Sequence, residues 1–158
     1  MEATLHSRNL NKDIYGGMKN MVIMPEEVIK MFENPDCDKQ KVLTWVATTT
    51  QEGEPHLMPA CFVKAIDKDK LLIGIAFATQ TISNVECGSL VAVANAAYPN
   101  GYMVKGKGSI SFEGPHFEDY KARVEKRFGG KIKPKAVLLV NIEKIYHLKP
   151  SEGKKLIT

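Results

Sequence analysis

The chain has 158 residues, of which 44% are hydrophobic and 25% charged, a composition that fits one compact domain able to bury a core and hold a small ligand. Its net charge of +4 arises from 22 basic and 18 acidic residues spread along the chain, which disfavours nucleic acid as the main partner. No apolar run approaches the roughly 20 residues of a membrane-spanning helix, and no signal peptide is recognisable. We therefore expect a cytoplasmic protein that is not inserted in a membrane.

The first half of the chain predicts an arm, a short helix and three strands. Residues 1–23 lack periodicity and are assigned to an N-terminal arm. A helix is predicted from Met24-Pro25-Glu26-Glu27 to a stop at Asn34-Pro35. From Val42, VLTWVATTT and PHLMPACFV form a hairpin, and Pro59 requires an edge position or a bulge. LLIGIAFA then reads as a strand buried on both faces.

The second half predicts two helices and three further strands. TQTISNVECGS forms a short helix that Thr79 or Thr81 caps and Gly88 ends. LVAVANAA is a buried strand, and GYMVKGKGSISF alternates as a long, half-exposed one. HFEDYKARVEKRF is an amphipathic helix stopped by Gly129-Gly130, and AVLLVNIEKIYHL is the last strand. Six strands in this order indicate a small, closed or partly open barrel in residues 24–150, with a tail at 151–158.

Most patterns of catalytic or metal chemistry are missing from the sequence. The three cysteines form no CxxC pair, and their odd number favours thiols. The four histidines show no zinc-binding spacing, so no metal site is expected. His56 is a candidate acid or base, with a solvated strand-end residue as the alternative. Catalytic residues are therefore left unassigned.

One stretch suits an anion. Thr79, Gln80 and Thr81 combine two hydroxyls and an amide with the free N–H groups of a helix start, directly after a buried strand. The alternative is that these residues only cap the helix.

Three stretches in succession, VATTTQEGEPHLMPACFV, DKDKLLIGIAFATQTISNV and GYMVKGKGSISFEGPHFEDY, resemble the pyridoxamine 5′-phosphate oxidase-related family of FMN-binding split β-barrels. The resemblance covers roughly residues 25–150 and is greatest to the short FMN-binding members. It implies a mainly β fold, a six-stranded antiparallel split barrel, and a homodimer with FMN at the subunit interface.

The resemblance also implies which residues bind the cofactor. It places the phosphate at Gln80, Thr81 and Asn84, beside Thr79. It also implies that the partner subunit closes the site with its Tyr102 and Lys105. The flavin ring is expected along two strands, at Pro59, Ala60, Cys61, Ile75, Ala76 and Phe77. Family members usually carry Lys or Arg in place of Gln80. Lys107 is the candidate to compensate, and another phosphorylated or deazaflavin cofactor stays open.

The function implied is that of an FMN-dependent oxidoreductase or flavin reductase, with NAD(P)H or a redox protein as electron donor. An FMN-binding electron carrier without its own small substrate is the first alternative. A flavin-free barrel that binds single-stranded nucleic acid through Lys105 and Lys107 is the second. Oxidation of vitamin B6 is disfavoured, because the chain ends in IYHLKPSEGKK without the Trp and Arg-Leu-x-Pro elements of true pyridoxamine 5′-phosphate oxidases.

Overall fold

A computed structural model describes residues 22–33, 42–152 and 156–157, which form three helices and one antiparallel sheet of seven strands. The elements are α1 (Glu26–Phe32), β1 (Thr44–Thr49), β2 (Pro55–Ala60), β3 (Val63–Asp67), β4 (Lys70–Ile75), α2 (Thr79–Glu86), β5 (Leu90–Ala97), β6 (Asn100–Ser111), α3 (Pro115–Phe128) and β7 (Ala136–His147). The strand order is β2-β1-β5-β6-β7-β4-β3. Because β2 and β4 touch despite the four strands between them in this order, the sheet curls into a half-barrel.

The sequence predicts six strands, whereas the described part of the chain forms seven, so the predicted number is wrong by one. The run PHLMPACFV leaves the β1 ladder after Ala60 and re-enters the sheet at Val63, where β3 pairs with β4. A continuous apolar run cannot show that its two halves bond to different neighbours. The expectation for Pro59 is confirmed, since it lies in the edge strand β2, which pairs only with β1.

The helices agree with their predicted positions but not in every detail. Gly129 ends α3 in the left-handed region with φ 55°. In α2 the N-cap residue is Ala78 and no side chain caps the helix, so the prediction that Thr79 or Thr81 caps it is wrong. The arm, the stop at Asn34-Pro35 and Cys37 lie outside the described residues.

Two clusters of apolar side chains lie on opposite faces of the sheet. The larger cluster fills the inside of the half-barrel and includes Val46, Ile73, Val93 and Val104. The smaller one joins α3 to the outer face of β4 and β7, through Phe62, Leu72, Tyr120, Val124 and Val137. α3 is thereby held beside the end of β2, and this placement creates the main cavity.

Three expectations from the sequence concern the cysteines, a membrane-spanning helix and a metal site. Cys61 is disulfide-bonded, so the prediction of a thiol is wrong at this position, whereas Cys87 is free. No helix among the described residues is long and apolar enough to cross a membrane. No group of three potential metal-binding side chains occurs within those same residues.

Candidate functional site

The main cavity has a volume of about 850 Å³ and lies between α3 and the ends of β2 and β4. This volume is within the range of small-molecule and cofactor sites. We call it the α3 cavity. Its strand wall consists of His56, Leu57, Met58, Pro59, Cys61, Phe62 and the segment 74–78, and its helix wall of Tyr120, Arg123, Val124, Lys126, Arg127, Phe128 and Ile132.

Five of the six residues expected along a flavin ring line this cavity: Pro59, Cys61, Ile75, Ala76 and Phe77. Ala60 does not, because its side chain is buried in the core inside the half-barrel. Successive side chains of a strand point to opposite faces, which turns Ala60 inward between two residues that line the cavity. The structure thus brings the ends of β2 and β4 to one wall.

The helix wall carries positive charge that no sequence motif indicated. Arg123, Lys126 and Arg127 all line the cavity. The Arg123 Nε atom lies 3.1 Å from Asp119 Oδ2, and the guanidinium lies 5.5 Å from the centroid of the Phe62 ring. The signal available in the sequence is the spacing of Tyr120, Arg123 and Arg127, which share one helical face.

Tyr120 is the buried polar residue of this wall. It is only 4% exposed, and its hydroxyl makes no hydrogen bond to any residue that the structure describes. Burial raises the pKa of Tyr120 to about 12, which moves loss of its proton still further above neutral pH. The hydroxyl oxygen itself keeps contact with solvent, so Tyr120 presents an open donor to the cavity.

The start of α2 adjoins the strand wall and contains the residues predicted to bind phosphate. Gln80 Nε2 donates to Asn84 Oδ1 at 2.7 Å, and Asn84 Nδ2 donates to Thr48 Oγ1 at 2.9 Å. Thr81 is fully buried, and its Oγ1 has no hydrogen-bond partner among the described residues. Thr79 lines a second cavity of about 440 Å³ together with Ile82, Ser83, Glu86, Phe112 and Lys135.

The three predicted residues on β6 lie away from both cavities. Tyr102 is buried in the inner core, with its ring centroid 5.1 Å from that of His147. Lys105 Nζ lies 5.4 Å from the centroid of the Tyr146 ring, and Lys107 is exposed opposite Leu90. None of the three lines the α3 cavity or the second cavity.

The convex side of the sheet exposes a mostly apolar surface over four strands. Cross-strand neighbours Pro59, Trp45, Ala94 and Met103 form one row, and Leu57, Ala47, Ala92 and Lys105 form the next. We call these eight residues the outer sheet face. Trp45 is 41% and Leu57 58% exposed, and Leu57 also lines the α3 cavity, so the face and the cavity are continuous.

A curled antiparallel sheet with a ligand-sized cavity beside its edge strand defines a split β-barrel protein. The sequence profile of the pyridoxamine 5′-phosphate oxidase family matches residues 36–149. The chain belongs to this family of FMN-binding split barrels.

The chain is also similar to individual proteins over most of its length. The uncharacterised protein MJ0282 of Methanocaldococcus jannaschii is 29% identical over 146 residues, covering 89% of this chain and 92% of the relative. The crystal structure of HupZ from Group A Streptococcus superposes with a TM-score of 0.68 at 25% identity, covering 84% of this chain and 98% of HupZ. An FMN-binding protein from Syntrophomonas wolfei shares the fold, with a TM-score of 0.62 at 18% identity and coverage of 78% and 87%.

Proposed function

We propose that this chain is an FMN-binding flavoprotein that acts as an oxidoreductase or flavin reductase. The observation that carries the proposal is the α3 cavity, which combines an apolar strand wall with a helix wall bearing Arg123, Lys126 and Arg127. An isoalloxazine ring is flat and largely apolar on its faces, so it suits the strand wall, and positive charge favours an anionic ligand.

Two buried atoms provide a test of whether the residues fit a flavin. His56 Nε2 and Thr81 Oγ1 are both inaccessible to solvent and have no hydrogen-bond partner among the described residues. A buried polar atom without a partner costs roughly 1–3 kcal/mol. Flavin mononucleotide offers ring oxygens and nitrogens, a ribityl chain and a phosphate as partners. His56 lines the strand wall and Thr81 lies in the first turn of α2, so the residues fit the cofactor.

When bound, FMN supplies hydride or single-electron transfer. The ends of β2 and β4 would hold the ring plane, and Phe77, which is 74% exposed, would cover it at the cavity mouth. The Tyr120 hydroxyl and the Arg123 guanidinium would hold an anionic group of the second reactant.

We also propose that a second copy of the chain covers the outer sheet face. Contiguous exposed apolar surface of this kind is a mark of an interaction site. Because Leu57 belongs to both the face and the α3 cavity, a copy seated on the face would also narrow the mouth of the cavity. This arrangement agrees with the dimer that the family resemblance implies.

The proposal is tested first by the absorption spectrum of the freshly purified protein, followed by titration with FMN if the protein is colourless. Flavin bands or saturable uptake support it, and anaerobic mixing with NADH and NADPH then tests for reduction of the bound flavin. Bleaching by either nucleotide identifies an oxidoreductase or flavin reductase. Reduction only by dithionite or a reduced redox protein identifies the electron carrier instead.

Two variants show whether binding occurs in the α3 cavity. Phe77→Asp places a charge in its wall and should weaken uptake of FMN. Tyr98→Asp is the matched control, because Tyr98 is also an exposed aromatic residue but lines neither cavity. A protein that takes up no FMN contradicts the proposal and directs the titration to deazaflavin cofactors and to single-stranded oligonucleotides.

A further inference from the structure

We propose that Lys135 supplies the positive charge that holds the cofactor phosphate at the start of α2. This inference rests on the proposed binding of FMN and extends it to a residue that neither the sequence motifs nor the family resemblance indicates. It concerns the affinity for the phosphate and not the chemistry of the ring.

The position at which relatives usually carry a cation is neutral in this chain and already engaged. Gln80 donates one N–H of its amide to Asn84 at 2.7 Å, and Asn84 is held in turn by Thr48. Gln80 therefore keeps one N–H for a phosphate and adds no charge. A charged donor makes a hydrogen bond about twice as strong as a neutral one, so a dianionic phosphate needs a cation from elsewhere.

Lys135 is positioned next to α2 by the backbone. Its N–H donates to the carbonyl oxygen of Ile75 at 2.8 Å, and Ile75 is the last residue of β4, four positions before Thr79. Lys135 and Thr79 both line the second cavity, which has a volume of about 440 Å³. Lys135 forms no ion pair with any residue in the described part of the chain, so its charge is available for a ligand.

The acidic residue of the second cavity is Glu86, in the last turn of α2. It is seven residues from Thr79, about 10 Å along the helix axis at the usual rise. The backbone hydrogen bond of Lys135 is to the end of β4, which leads into the first turn of α2 and not into the turn that contains Glu86.

Lys107, the cation that the sequence suggested as compensation for Gln80, is less well placed within one subunit. The neighbouring Gly108 faces α2, because a Cβ added there would meet Val85 of α2 at 3.0 Å. Adjacent residues of a strand point to opposite faces. Lys107 therefore projects on the side of the sheet away from α2.

The test compares the affinities of FMN and riboflavin, which differ only in the phosphate. Fluorescence titrations of the wild-type chain and Lys135→Ala should show FMN weakened about 10- to 100-fold, the range for a charged hydrogen bond. Riboflavin affinity should change less than about twofold, since its ring contacts are intact. Lys133→Ala is the matched control, because Lys133 is an exposed lysine of the same loop that lines neither cavity.

The outcomes separate this inference from the proposed function. If the wild-type chain binds FMN and Lys135→Ala binds it equally well, the inference is wrong and the proposed function stands. Equal weakening of both flavins also overturns it, because the phosphate is then not the group that Lys135 contacts. A wild-type chain that binds neither flavin refutes both. A loss of affinity that is selective for FMN and is smaller at high salt concentration supports the inference.

Discussion

Substitution of Gly74 by Ala should loosen α3 from the sheet and distort the α3 cavity. Gly74 lies in β4 under the Tyr120 ring, and an added Cβ would overlap the Cε2 and Cζ atoms of that ring. The ring cannot move freely, because Tyr120 is 4% exposed and packs on Phe62 with 5.1 Å between ring centroids. Either the ring or the whole helix must therefore shift.

Two limiting cases, expulsion of the Tyr120 ring and partial movement of α3, set the size of the expected loss of stability. Complete expulsion of a tyrosine ring exposes about 150–250 Å², or about 4–6 kcal/mol at 25 cal/mol per Å². Partial movement of α3 relieves much of this, and overpacked cores typically lose about 1–3 kcal/mol. We expect a loss in this lower range, which lowers the melting temperature by about 3–10 °C for a domain of this size.

The assay is a double-mutant cycle in urea, monitored by circular dichroism at one fixed protein concentration. Gly74→Ala is measured in the wild-type chain and in the Tyr120→Ala background, where no ring is present to collide. If the overlap is the cause, the cost of Gly74→Ala nearly vanishes in that background. A cost below about 0.5 kcal/mol in the wild-type chain, or the same cost in both backgrounds, would refute this explanation.

Other predictions concern the hydroxyl, the polar chain and the outer sheet face. Tyr120→Phe should change the free energy of unfolding by less than about 0.5 kcal/mol, because the hydroxyl has no described partner. The raised pKa of Tyr120 stabilises the fold fully below pH 10, and this stabilisation is lost as pH rises towards about 12. Absorbance titration of the phenol measures this pKa. Asn84→Ala leaves Thr48 without its donor and should cost about 1–3 kcal/mol in urea unfolding. Trp45→Glu should shift the protein to monomer in light scattering, whereas Ile23→Glu, an equally exposed site outside the face, should not; a dimer in both would contradict the assignment of the interface.

Local sequence patterns predicted most of the secondary structure. The spacing of Phe117, Tyr120, Val124 and Phe128 marked α3, and Gly129 marked its end, because helical periodicity and a left-handed C-cap are properties of a short segment. The alternation along β6 is likewise local: Val104 is buried in the core and Lys107 is exposed on the other face. The succession of motifs then indicated the family, and the profile match confirms it.

Other features depended on how distant segments pair and pack. The division of PHLMPACFV into β2 and β3 depends on the partner that each half finds, and Cys61 forms a disulfide that an odd number of cysteines argued against. No sequence pattern marked Gly74, and only the fold shows that the Tyr120 ring fills the space above it.

The residues placed along a flavin ring came from the family resemblance and stay a prediction. The amino-acid sequence by itself determined the helices, most strands and the family. These rest on periodicity, turn residues and motif order, which act over a few neighbouring positions. Only the tertiary structure decided that Arg123 and Arg127 line the same cavity as Pro59, and that Lys135 lies beside α2. Each of these contacts joins residues separated by roughly fifty positions or more, and long-range packing of this kind leaves no periodic trace in the chain.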